Sequence, residues 1–193
     1  MIHLLLATQN PHKVKEIQAV LPEGVRASGI DDLVKSELEE TGVTLEENAL
    51  QKARKIYQLT GNPTLSDDSG LEVVALNNAP GVYSARYAGL QKDDQANNAK
   101  LLKELLNVGQ RHARFRTVLA FIDNTGEYLF EGIVNGVIAS EPRGGNGFGY
   151  DPLFVPDGES RTFAEMTSDE KNGLSHRSKA VKAWAEWMSK RNQ

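Results

Sequence analysis

The sequence predicts an α/β fold: a mixed β-sheet with helices packed on it. Three observations carry the prediction. Apolar runs alternate with segments of helical spacing through the first hundred residues. Two longer apolar segments then flank Asp123-Asn124-Thr125-Gly126, which reads as a hairpin turn. The chain, at 193 residues with 39% hydrophobic and 25% charged side chains, is apolar enough to bury a core without a disulfide or metal staple.

Residues 2–7 are a short apolar run, expected to be a buried strand. Pro11 suits a first helical turn, and Val14, Ile17, Val20 and Leu21 keep helical spacing up to Pro22. Thr44-Leu45-Glu46-Glu47 has capping-box form and opens a helix to about residue 60, stopped by Gly61-Asn62-Pro63. Residues 71–76 are expected to be a strand. Residues 93–106 are expected to be a helix with Ala96, Ala99, Leu102, Leu105 and Leu106 on its inner side. Residues 113–122 and 128–138 form the hairpin arms. Ser175 caps a last helix whose buried stripe is Ala180, Val181, Trp184 and Met188. With no repeat, low-complexity stretch or long linker, the length fits one domain, whole or divided into two small lobes sharing a core.

Composition removes several function classes. Formal net charge is −4, and an acidic chain is a poor general nucleic-acid binder, because affinity for the backbone comes from neutralising phosphates. The longest apolar runs, 4–7 and 118–122, are far short of the roughly 20 residues of a membrane span. The absence of cysteine excludes disulfides, thiolate zinc sites and cysteine nucleophiles. No signal-peptide pattern opens the sequence, so the expected compartment is the cytoplasm. Any phosphate site must be a local basic cluster in an acidic surround.

Five segments carry candidate chemistry. Thr8-Gln9-Asn10-Pro11-His12-Lys13 joins the first strand to the first helix. A helix start offers N–H groups to an anion, and Lys13 adds a point charge; the same residues also suit a plain helix cap. Ser66-Asp67-Asp68-Ser69-Gly70, placed between two strands, holds adjacent acids. On extended backbone their side chains point in opposite directions, so one can face a site while the other holds the loop. Such a carboxylate suits Mg²⁺ beside phosphates, or a general base on water; an Asx-turn is the plainer alternative. Glu37-Leu38-Glu39-Glu40-Thr41-Gly42 is an acidic run, a solvated loop unless a second metal ligand is needed. Gly144-Gly145-Asn146-Gly147-Phe148-Gly149-Tyr150-Asp151-Pro152 marks a loop of special backbone angles, with Phe148 suited to stack on a flat ligand and Asp151 to accept ring N–H or amino groups. Lys171 and Ser175-His176-Arg177-Ser178 place cations at a helix start, against the macrodipole. Together these are the parts a nucleotide requires.

At these residues the sequence resembles the non-canonical purine nucleoside triphosphate pyrophosphatases, the inosine triphosphate pyrophosphatase family. The resemblance covers essentially the whole chain. Its carriers are residues 7–13, Glu39-Glu40-Thr41-Gly42, Glu47-Asn48-Ala49, Ser66 to Leu71, residues 79–87, Gly147 to Pro152 and Ser175-His176-Arg177. The local departure is Gly145-Asn146-Gly147, where a small residue or Gly-Gly is expected before the Phe.

The resemblance implies hydrolysis of dITP, ITP and XTP to monophosphate and pyrophosphate with Mg²⁺. It also implies an elongated mixed sheet flanked by helices, two lobes with a central cleft, and a homodimer with no nucleic-acid or membrane partner. It makes Asp68 the general base and Lys13 its catalytic partner on the phosphates. Substrate contacts would be Thr8, Gln9, Asn10, Pro11, His12, Lys13, Ser69, Phe148, Gly149, Tyr150, Asp151, Lys171, His176 and Arg177, with Phe148 stacking on the purine. Metal ligands would be Asp68 and one of Glu39 and Glu40. Arg177 is expected to donate to the 6-carbonyl oxygen that adenine lacks. Alternatives are a pyrophosphatase for modified pyrimidine nucleotides and a nucleotide-binding module without catalysis.

Overall fold

The computed structural model describes residues 2–30, 34 and 38–191; Glu37, part of the acidic run read from the sequence, lies outside the described residues. The strands are β1 (Ile2–Leu6), β2 (Val25–Ser28), β3 (Thr64–Val73), β4 (Ala79–Pro80), β5 (His112–Asp123), β6 (Gly126–Ile138) and β7 (Phe154–Pro156). The α-helices are α1 (Pro11–Val20), α2 (Leu45–Thr60), α3 (Asp94–Glu104), α4 (Ser168–Leu174) and α5 (His176–Arg191). The strands pair in the order β2-β1-β3-β5-β6-β7, with β4 on β3. β1 is parallel to β2 and β3, whereas β4 and β7 run antiparallel to their neighbours, so the sheet is mixed as expected. The chain forms two compact units, and β3 passes from the first to the second between Asp68 and Ser69.

The first unit holds residues 1–68, 117–132 and 176–193. Its centre is β1, buried on both faces, which is why residues 4–7 are an unbroken apolar run. Leu4 and Leu6 pack with Ile17, Leu65, Phe121, Val181 and Trp184. Leu5 and Ala7 face the other way, toward Ile30, Val34 and Ile56. In α2 the Thr44 hydroxyl accepts from the Glu47 N–H at 3.2 Å, but the Glu47 carboxylate reaches one residue further back than a standard box, to the Val43 N–H at 2.7 Å. Gly61, at φ +67°, ends the helix in a left-handed cap. The start of α5 lies against β6 at Gly132, where a Cβ would stand 2.0 Å from the His176 carbonyl oxygen. Ala180, Val181 and Trp184 are buried as expected, with Met188 at the margin.

The second unit holds residues 69–116 and 133–175. Its core gathers Leu71, Val73, Leu101, Leu105, Phe115, Val134, Phe154 and Phe163. The Phe115 and Phe154 rings meet edge to face at 4.7 Å.

Two sequence expectations need correction. The strand expected over 71–76 is the end of a ten-residue strand beginning at Thr64, and 74–76 is a 3₁₀ turn. Asp67 and Asp68 therefore lie inside a strand rather than between two, and the Asx-turn alternative falls. In α3 the inner side is Asn97, Asn98 and Leu101, with Leu105 just beyond; Ala96 and Ala99 are exposed. The hydrophobic pattern misplaced this face because two buried asparagines occupy it. The short β2, β4 and β7 and the two-turn α4 carry too few residues for a periodic signal.

Candidate active site

Side chains alternate along a strand, and β3 uses that alternation to give its twin aspartates opposite surroundings. Asp67, fully buried, meets Lys13 Nζ at 3.2 Å and accepts from Arg177 Nε at 3.1 Å and Nη2 at 3.0 Å. The remaining arm of the Arg177 guanidinium is bonded to Glu16. Burial alone would lift the Asp67 carboxyl, but Lys13, then Arg177 and Lys52, outweigh it and hold Asp67 far below the usual carboxylate range. Asp67 is thus a fixed negative charge that anchors two cations.

Asp68 faces α2. Its Oδ2 accepts from Asn48 Nδ2 at 3.1 Å, and its Oδ1 lies 3.7 Å from Lys52 Nζ. Lys52 also donates to the Asp67 carbonyl oxygen at 2.9 Å and to Glu40 at 2.5 Å. Burial dominates here, so the Asp68 carboxyl is pushed up despite the pull of Lys52 and Lys13. Lys52 stays charged: burial opposes its charge, but Asp68, Glu40 and Asp67 outweigh it. Burial lowers the Lys13 pKa against the pull of Asp67, to which Lys13 stays ion-paired at 3.2 Å. A carboxylate with a raised pKa, hydrogen-bonded and lightly exposed, is suited to take a proton from water.

Around α1, Asn10 caps the helix, accepting from His12 N at 2.9 Å and Lys13 N at 3.4 Å, while Thr8 Oγ1 accepts from Asn10 N at 3.2 Å. Pro11 has no N–H, and Val14 N bonds back to the Asn10 carbonyl. The expected cradle of open backbone donors is therefore closed by the helix's own cap. The remaining anion donors here are side chains, with Lys13 foremost. Gln9 is tied to the Val34 carbonyl at 3.1 Å, and His12 is exposed on the helix.

In the second unit, the turn at Phe148 is built from its own polar groups. The Asp151 carboxylate accepts from Phe148 N at 2.9 Å and from Lys171 Nζ at 2.6 Å. Lys171 lies over the Phe148 ring, 4.9 Å from its centre. Gly147, at φ +76°, is required: a Cβ there would stand 2.0 Å from Asp151 Oδ2. The Asn146 that departs from the expected motif ties the loop down, donating to the Met166 carbonyl at 2.9 Å. Tyr150 is buried and donates to the Ser84 carbonyl at 2.9 Å. Phe148 itself stays half-exposed, outside the core of its unit. Ser69 and Gly149 are likewise half-buried.

The structure places four further candidates. Arg177 is 2% exposed and bonded through Nε and Nη2 to Asp67 and through Nη1 to Glu16, which makes it a buried counter-ion in this structure. Asp151, 2% exposed, uses its carboxylate to shape the loop. Of the two acids, Glu40 reaches the Asp68 cluster through Lys52, whereas Glu39 is exposed. His176 is buried at the start of α5, beside Arg177. Sequence reading named Asn48 only within a motif, without a role, and missed Lys52 and Glu16. A signal existed for two of them: Asn48 and Lys52, four apart, fall on the buried stripe of α2 with Leu45, Ala49, Ala53 and Ile56. A lysine on an apolar stripe needs a buried partner.

A family model decides the relationship: that of the Ham1 family matches residues 4–187. The chain belongs to the Ham1 family. It is 49% identical over 183 residues to a dITP/XTP pyrophosphatase of Porphyromonas gingivalis, covering 94% of each chain. It is 51% identical over 186 residues to one from Elusimicrobium minutum, covering 92% of this chain and 94% of that one. Among solved structures it resembles the Ham1 protein of Staphylococcus aureus at TM-score 0.88 and 37% identity, covering 98% and 99% of the two chains. It resembles a HAM1 protein from Coxiella burnetii at TM-score 0.89 and 40% identity, covering 98% and 100%. The Ham1 relationship agrees with the family resemblance read from the motifs and with the mixed α/β sheet.

Proposed function

We propose that this chain hydrolyses dITP, ITP and XTP to the nucleoside monophosphate and pyrophosphate, clearing such nucleotides from the pool. Its Ham1 membership and the naming of its relatives support the reaction. The observation that carries the mechanism is the divergence of Asp67 and Asp68, one bonded to Lys13 and Arg177 and the other turned toward Asn48 and Lys52, where it can serve as the base.

Water attacks the α-phosphorus, and Asp68 orients it and takes its proton. Negative charge then builds on the bridging oxygen and the departing pyrophosphate. Lys13, anchored by Asp67, and Lys52, anchored by Glu40, are cations whose positions are set before reaction, so their stabilisation needs no reorganisation. Thr8 and Asn10 offer polar groups to the phosphates from the start of α1. Phe148 stacks on the purine; Lys171 covers one face of the ring, so the base takes the other. Ser69, Gly149, Tyr150 and His176 complete the proposed contacts.

Mg²⁺ fits the residues present. Among the described residues no cluster of three His, Asp or Glu could hold a metal alone. Mg²⁺ needs only one or two protein carboxylates when phosphate oxygens supply the rest. Glu40 and Asp68 already share one cation in Lys52. The cluster sets three cations against four carboxylates, so a triphosphate requires added positive charge. Asp68 and Glu40 would hold the ion, which when bound supplies charge neutralisation on the leaving pyrophosphate. Among the described residues no helix is long and apolar enough to cross a membrane. The proposed enzyme is a cytoplasmic homodimer with no nucleic-acid or membrane partner.

A nucleotide panel with Mg²⁺ tests the reading. It predicts pyrophosphate from dITP, ITP and XTP, little from dATP, and none after chelation. Orthophosphate as the product, or equal turnover of dATP, would overturn it.

A further inference from the structure

We infer that Asp94 and Asn98, on α3, are positioning residues for the base-stacking ring of Phe148. This rests on the proposed stacking role and extends it to two side chains that touch no substrate. The two residues are four apart and so lie on one face of the helix. Both are aimed at a single residue, Gly149. Asp94 Oδ2 accepts from the Gly149 N–H at 2.7 Å, and Asn98 Nδ2 donates to the Gly149 carbonyl at 3.0 Å. Gly149 sits at φ +62° and follows Phe148 directly, so holding its N–H fixes the peptide that leaves Phe148, and holding its carbonyl fixes the next one. The N–H of Phe148 is itself held by Asp151 at 2.9 Å. The ring's backbone is thus gripped on both sides, from α3 and from within the loop.

The helix doing this is itself firmly seated. Asn97 accepts from the Ala88 N–H at 2.7 Å and donates to the Ala85 carbonyl at 3.0 Å, while Leu101 is buried in the core of the unit. Asn98 is 8% exposed, on a face where packing alone would favour an apolar residue. A loop of glycines would otherwise let the ring wander, and a stacking surface works only when held in place before the ligand arrives.

The test is a coupling cycle measured on dITP with the full chain. Phe148→Ala is expected to raise KM by roughly 5–150-fold, the range of base–aromatic stacking. Asn98→Ala and Asp94→Ala are each expected to raise KM by about 10-fold with kcat within about twofold, as expected when ring placement is loosened without touching the reacting atoms. Asp94→Asn, which keeps an acceptor oxygen, is expected to restore KM. Because all three act through one ring, Asn98→Ala added to Phe148→Ala is expected to raise KM no further. Asp94 is exposed, so its variants read the proposal even if Asn98→Ala disturbs folding. Full additivity in the double variant, or a fall in kcat at unchanged KM, overturns the positioning role. So does an unchanged KM in both single variants beside a raised KM in Phe148→Ala. An unchanged KM in Phe148→Ala overturns the stacking role itself, and the positioning role with it.

Discussion

Replacing each of the twin aspartates of β3 by asparagine should separate stability from chemistry. Asp67→Asn removes a fully buried charge that meets Lys13 at 3.2 Å and Arg177 at 3.0 and 3.1 Å. Breaking a buried pair by deleting one partner costs about 3–5 kcal/mol. Arg177 keeps Glu16, so the loss should lie near the lower end, about 3 kcal/mol. For a chain of this length that corresponds to a fall in Tm of roughly 6–12 °C. The depressed pKa means that ionised Asp67 stabilises the fold above the ordinary carboxylate pKa of about 4, and that this contribution fades as pH falls below it. The stability gap between wild type and Asp67→Asn should therefore be full at pH 7 and shrink in acid. Asp68→Asn should do the reverse. Its raised pKa means the charged form is disfavoured in the fold, so stability should change by less than about 1 kcal/mol or rise. Loss of the base should lower kcat on the order of 10²–10⁴-fold. Urea unfolding without metal, paired with pyrophosphate release, measures both. Equal destabilisation by the two substitutions, or an Asp67→Asn protein melting within about 2 °C of wild type, would refute the division of labour.

Two further outcomes follow from single contacts. Gly147→Ala places a methyl 2.0 Å from Asp151 Oδ2 at a backbone angle of φ +76°, and should destabilise the protein by about 1–3 kcal/mol while raising KM; a calorimetric scan and steady-state kinetics check both. Lys52→Met leaves Glu40 and Asp68 without their shared cation and should lower kcat about 10²–10³-fold, measured at saturating Mg²⁺; turnover within a few-fold of wild type would remove Lys52 from the phosphate machinery.

The sequence made the backbone of the fold legible wherever a signal was long or chemically strong. The doubly buried β1, the Thr44 cap, the Gly61 stop and the two-residue hairpin turn all have local causes, and all stand in the structure. Strand β3 was misjudged because Ser66-Asp67-Asp68-Ser69 reads locally as a turn. Its extended form is set by pairing with β1 and by cations more than fifty residues away on either side, at Lys13 and Arg177. The same distance hid the fate of Arg177. A helix-start arginine reads as a cation set against the macrodipole until the carboxylates of Asp67 and Glu16 are known to surround it. Asn98 was invisible for a related reason: hydrophobic patterning has no category for a buried amide whose work is to hold a distant loop.

Turnover of dITP in ¹⁸O-labelled water tests the central claim most directly. Attack on the α-phosphorus by water activated at Asp68 predicts one label in the deoxyinosine monophosphate and none in the pyrophosphate, with Asp68→Asn forming neither at an appreciable rate. Label in the pyrophosphate, or undiminished labelling of the monophosphate by Asp68→Asn, would contradict it.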